Sequence, residues 1–193
     1  MLENLQKYKI VLGSNSPRRK ELLAGLDINF VVDVLSGIDE SYPAEIKAGD
    51  IPLFIARKKA MAYSPSMSED ELLITADTVV CTSEKVLGKP SDRKEAVEML
   101  RALSGREHEV ITGVCLLTKE KQVDFAVSSS VRFSQLTEEE IEYYVDKYKP
   151  FDKAGAYGIQ EWIGYVGVEA INGSFYNVMG LPVQRLYSEL KNF

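Results

Sequence analysis

Histidine is almost missing from this chain: His108 is the single example, and cysteine occurs only at Cys81 and Cys115. A single histidine cannot form a His-rich metal cage, and zinc is the less suited metal here. Any metal must rest on carboxylates, which suits Mg²⁺ or Mn²⁺. The two cysteines sit in separate apolar runs, far apart in sequence. Without a secretory context they are expected as buried free thiols rather than a disulfide. No apolar run approaches the roughly 18–20 residues of a membrane span. Residues 1–9 are polar and acidic and lack the apolar centre of a signal peptide, so a cytoplasmic protein with no membrane partner is expected. Positive charge is also scarce. The net charge is -6, which argues against a nucleic-acid polymer as partner. The glycine fingerprints GxxxxGK[ST] and GxGxxG do not occur.

The chain has 193 residues, 45% hydrophobic and 27% charged, a globular balance. That length suits one domain over 1–193, built as two small lobes sharing a core. Residues 8–12, 29–35, 72–82, 110–117 and 123–133 read as strands. Helices are expected over 17–26, from Asp50 to about Tyr63, from Ser91 or Asp92 to about Leu103, from Thr137 to about Tyr148, and from about Pro182. Thr137 and Glu140 form a capping-box pattern. Glycine-rich residues 155–180 are expected to mix short strands and turns. Helices and strands alternate early and a β-rich stretch follows, so the fold class is a mixed α/β sheet.

The first chemical signal is Gly13-Ser14-Asn15-Ser16-Pro17-Arg18-Arg19. A strand ends, Ser16 is a good N-cap, and Pro17 is a good first helical residue. Arg18 and Arg19 then fall in a first turn where the helix dipole prefers acids. Together with free backbone N–H groups, two guanidinium groups there favour a phosphate. The rival is a solvated helix start whose arginines pair with nearby acids.

Asp77 interrupts the apolar run Leu72-Leu73-Ile74-Thr75-Ala76-Asp77-Thr78-Val79-Val80. A carboxylate there needs partners if buried. The rival is an edge strand that turns Asp77 to solvent. Glu40, in the loop pair Asp39-Glu40, is a candidate to complete a divalent-cation site with Asp77. Lys59 and Lys89 are weak signals alone. Closely spaced glycines in 152–160 suggest backbone approaching a ligand, with a plain turn as the rival. His108 is expected to cap or pack.

Together these segments resemble the Maf family of nucleoside triphosphate pyrophosphatases. The matching stretches are Ser14-Asn15-Ser16-Pro17-Arg18-Arg19, Asp39-Glu40, Ala56-Arg57-Lys58-Lys59-Ala60, Ala76-Asp77-Thr78-Val79-Val80, Gly88-Lys89-Pro90, residues 108–114, residues 152–160, Gly173-Ser174 and residues 177–182. They run in family order over nearly the whole chain.

The resemblance implies a twisted mixed sheet in two lobes around a long groove, similar to inosine triphosphatase-like enzymes. It also implies metal-dependent cleavage of a nucleoside triphosphate to monophosphate and pyrophosphate. By position, Asp77 is implied as proton acceptor and Ser14, Arg18, Arg19, Lys59 and Lys89 as phosphate ligands. Glu40 and Asp77 are implied as the ligands of a divalent cation, Mg²⁺ or Mn²⁺. Arg18, Thr78 and Gln160 match the residues that mark the subgroup acting on dTTP and UTP. Three positions depart from the family pattern: Gly13 stands where alanine is usual, Glu161 where glycine is common and Met179 where valine is common. A homodimer is compatible with the resemblance. Two other functions fit the same residues, a non-catalytic nucleotide-binding regulator of cell division and a pyrophosphatase for non-canonical purine nucleotides.

Overall fold

Strand β1 (Lys9–Leu12) is short, and its apolar residues Ile10, Val11 and Leu12 are all buried. Residues 2–193 are described by a computed structural model. After β1 come α1 (Pro17–Ala24), β2 (Val31–Val32), α2 (Ile51–Tyr63), β3 (Glu71–Cys81), β4 (Val86–Leu87), α3 (Arg93–Leu103), β5 (Glu107–Leu117) and β6 (Gln122–Phe133). Then follow α4 (Glu138–Tyr148), α5 (Trp162–Gly167), β7 (Val168–Asn172), α6 (Phe175–Met179) and α7 (Val183–Lys191). The strands hydrogen-bond in the order β2-β1-β3-β5-β6-β7, with β4 on β3. β1 runs parallel to β2 and β3, whereas β4 is antiparallel to β3 and β7 to β6. The sheet is therefore mixed, as the alternation of elements predicts.

The chain divides into two compact units. Unit 1 holds residues 1–77, 112–127 and 180–193. Its parallel β1–β3 pair requires a long crossover, which carries α1, β2 and α2. Along α2, Ala56, Ala60 and Tyr63 recur at helical spacing and are buried against Val11, Leu73, Cys115 and Leu117. The small Ala56 and Ala60 let the helix approach closely, and Thr75 Oγ1 donates to the Ala56 carbonyl at 2.7 Å. Gly113 completes this approach, because a Cβ there would collide with the backbone of Pro52 and Leu53. The helix is thereby fixed over β3, with Lys59 on the flank that faces Asp77.

Unit 2 holds residues 78–111 and 128–179. Asp92 caps α3 by accepting from Glu95 N at 2.8 Å. Thr137 caps α4 with the expected capping box. The α3 residues Ala96, Val97, Leu100 and Leu103 and the α4 residues Ile141, Tyr144 and Val145 are buried. Ion pairs Arg93–Asp146 and Arg101–Glu138 join the exposed flanks of the two helices. His108, Phe133 and Tyr157 pack edge to face.

Two expectations change in extent. The apolar stretch 29–35 forms a ladder only at Val31–Val32, since its one partner, β1, offers Val11 and Leu12. Asp50 does not cap α2 with its side chain, because a 3-10 turn at Ala48–Asp50 already gives it helical dihedrals. Both cysteines are buried and free. Among the described residues no helix is long and apolar enough to cross a membrane.

Candidate active site

The turn between β1 and α1 has the predicted form. Ser16 Oγ accepts from Arg19 N at 3.4 Å, Pro17 opens the helix, and the first turn contains no acidic residue. Ser14 is buried, and its Oγ accepts from Ser16 N at 3.3 Å and from Arg19 Nη1 at 3.4 Å. Both contacts use acceptor capacity, so the hydroxyl hydrogen remains the donor. Arg19 also donates from Nε to the Gly180 carbonyl and from Nη1 to the Ala76 carbonyl, each at 2.9 Å. Its guanidinium therefore links the helix start to the residue preceding Asp77. Burial lowers the Arg19 pKa from its ordinary value, while the Asp77 carboxylate opposes that shift. An arginine nonetheless stays charged.

Asp77 lies within the interior strand β3, flanked in the sheet by β1 and β5. The edge-strand alternative is excluded, because the residue is buried. Its partner is Lys59, whose Nζ lies 2.9 Å from Asp77 Oδ1 and 2.9 Å from Glu40 Oε1. The lysine side chain is only 12% exposed, like that of Asp77 at 13%. A single ammonium thus gathers the two carboxylates expected to share a cation. The neighbouring Lys58 holds the same loop by donating to Asp39 Oδ2 at 2.7 Å and to the Ser41 carbonyl at 3.0 Å. Unit 1 therefore brings Ser14, Arg19, Lys59, Glu40 and Asp77 into one connected cluster. Arg18 is near enough to Arg19 to oppose its charge. Among the described residues no group of three or more His, Cys, Asp and Glu is arranged as a metal cage.

Thr78, Lys89 and Gln160 belong to unit 2. Lys89 is exposed, in a loop that Gly155 N ties by donating to the Gly88 carbonyl at 3.0 Å. Gln160 lies in the turn before α5 and lines a cavity of about 410 Å³ with Tyr165, Ile171 and Phe175. Its Oε1 is buried with no hydrogen-bond partner. The glycines of this segment approach the protein itself. A Cβ on Gly155 would lie 2.9 Å from Val80 Cγ2, and one on Gly158 would lie 2.9 Å from the Glu161 carboxyl carbon. Gly155 also has φ +68, in the left-handed region. Asn177 Nδ2 donates to the Val110 carbonyl and to Ser129 Oγ, each at 3.0 Å, so this motif residue fastens the segment leading to Gly180. His108 Nε2 is hydrogen-bonded to the Tyr157 hydroxyl at 2.8 Å, a packing role as expected. Sequence reasoning missed the hydroxyl of Tyr144 and the ammonium of Lys153, both held against Glu161. The departure from glycine at 161 was the available signal.

The family model described as "Maf-like protein" matches residues 9–193. A dTTP/UTP pyrophosphatase of Parabacteroides distasonis is 69% identical over 193 residues, covering 100% of both chains. One of Bacteroides thetaiotaomicron with the same name is 62% identical over 191 residues and covers 99% of each. Among solved structures, the Staphylococcus aureus Ham1 protein superposes with a TM-score of 0.54 at 14% identity, covering 95% of this chain and 98% of that one. That likeness concerns the fold alone.

Proposed function

This chain belongs to the Maf family, and we infer that it is a pyrophosphatase that hydrolyses dTTP and UTP to the monophosphate and pyrophosphate. The observation that carries this reading is end-to-end identity of 69% with a relative of that name. The cluster of Ser14, Arg19, Lys59, Glu40 and Asp77 supplies chemistry to match. The long groove implied by the resemblance is part of the same proposal.

Water must attack the α-phosphorus while pyrophosphate leaves, against the several negative charges of a triphosphate. Arg18, Arg19, Lys59 and Lys89 are assigned to neutralise that charge, so positioning and electrostatics provide most of the acceleration. Ser14 donates its hydroxyl to a phosphate oxygen. Asp77 orients the water and takes its proton. Thr78 and Gln160 contact the substrate, and the unpartnered Gln160 Oε1 supports a role in reading the base, since an amide offers both donor and acceptor.

The divalent cation is assigned to Glu40 and Asp77. The donor set fits: both carboxylates already converge on one positive charge, and Mg²⁺ takes one or two carboxylates alongside substrate phosphates. Bound there, such a cation supplies charge for the phosphate oxygens and a more acidic water. The reading is tested by product analysis on a panel of nucleoside triphosphates, with Mg²⁺ and with chelator. UTP and dTTP should yield pyrophosphate only with the metal. Activity confined to purines, or no activity, would refute it.

A further inference from the structure

Gln160 stands on a turn held from two sides. On one side Gly164 packs so closely that a Cβ there would collide with the Ile159 carbonyl. On the other, Glu161 reaches back under the turn. The Tyr144 hydroxyl donates to Glu161 Oε2 and accepts from Gly158 N at 2.9 Å. Lys153 Nζ lies 3.2 Å from Glu161 Oε1 and 2.8 Å from Asp152 Oδ1. Tyr144 and Lys153 are both buried, so their polar ends depend on these contacts. The Glu161 carboxylate and the Lys153 stem occupy the space where a side chain at 158 would go, so a larger residue there would displace them. Glu161 N also donates to the Gly158 carbonyl at 2.9 Å, closing the turn that carries Gln160.

We propose that Glu161 is a positioning residue for base selection, fixing the Gln160 amide through the Tyr144 hydroxyl and the Lys153 ammonium. The proposal rests on the reading of Gln160 as the residue that meets the base. Glu161 touches neither water nor phosphate in this scheme. Its loss lets the turn relax, so the amide presents its donor and acceptor at variable positions. Discrimination then falls, because selectivity by hydrogen bonding requires both groups to be placed. Phosphate binding is untouched.

The test compares wild type with Glu161→Gln, Glu161→Ala, Tyr144→Phe and Gln160→Ala. Each is measured for kcat/KM on UTP and GTP and for inhibition by inorganic tripolyphosphate, a triphosphate without a base. The UTP-to-GTP ratio should fall about tenfold in the Glu161 variants, as expected for one lost polar contact. Tripolyphosphate inhibition should stay unchanged, and Tyr144→Phe should reproduce the loss in part. An unchanged ratio in a folded Glu161 variant would overturn the proposal. So would an equal loss on both nucleotides with weakened tripolyphosphate inhibition, the signature of a purely structural role. Should Glu161→Ala not fold, the isosteric Glu161→Gln and Tyr144→Phe decide. If Gln160→Ala itself leaves the ratio unchanged, the reading of Gln160 fails and takes this proposal with it. If only Gln160→Ala changes the ratio, the positioning role alone is wrong.

Discussion

Asp77 shows how a single side chain breaks a strand's pattern for a purpose. Within the apolar run of β3 the one charge is Asp77, a carboxylate matched by Lys59 at 2.9 Å. Replacing it with Asn keeps the shape and removes the carboxylate that the proposed function makes the proton acceptor. Turnover of UTP should fall by about 10²–10⁴-fold in a chain that still folds, as judged by steady-state kinetics and circular dichroism together. His108 is a different kind of residue: it serves stability. Burial pushes its imidazole down to about 4 from an ordinary 6.5. Between those values the unfolded chain binds a proton that the folded chain refuses. The contribution of neutral His108 is therefore complete above about 6.5 and is lost as pH falls toward 4. The full loss is worth about 3 kcal/mol. Urea unfolding of wild type and His108→Gln should show their stability difference shrinking by about 2 kcal/mol between pH 7 and pH 5. A difference independent of pH would contradict it.

Among the elements, α2 matters most to the site because it carries Lys59 to Asp77. Its approach depends on Ala56, Ala60 and Gly113. Gly113→Ala drives a methyl into the backbone of Pro52 and Leu53, which cannot swing aside as a side chain does. The variant should lose about 2–3 kcal/mol in chemical denaturation, and the folded fraction should lose activity as Lys59 shifts. The helices with strong caps were readable from sequence: Thr137 with Glu140, Asp92, and Ser16 with Pro17 all mark boundaries by local hydrogen bonds. Elements decided by partners were not. β2 is shorter than its apolar run because β1 offers so little edge. β4 is only two residues, and α5 carries two glycines that lower helix propensity. Of the site, Asp77 stood out as a charge among apolar residues, and Arg19 as a cation at the wrong end of a helix. That Lys59 bridges Glu40 and Asp77 depends on contacts 19 and 18 positions apart along the chain, which no local pattern encodes.

On the scale of the whole molecule, an acidic chain of net charge -6 is asked to hold a polyanion. The proposed function assigns that task to cations gathered locally, Arg18 and Arg19 at one helix start and Lys59 against two carboxylates. The glycines of 152–160, by contrast, serve internal packing around Val80 and Glu161. In the proposed function this site directs water at the α-phosphorus of a pyrimidine nucleoside triphosphate. Hydrolysis of UTP in ¹⁸O-labelled water, with mass analysis of both products, tests it most directly. The label should appear in uridine monophosphate and be absent from pyrophosphate. Label in the pyrophosphate, or release of orthophosphate as the first product, would contradict the account.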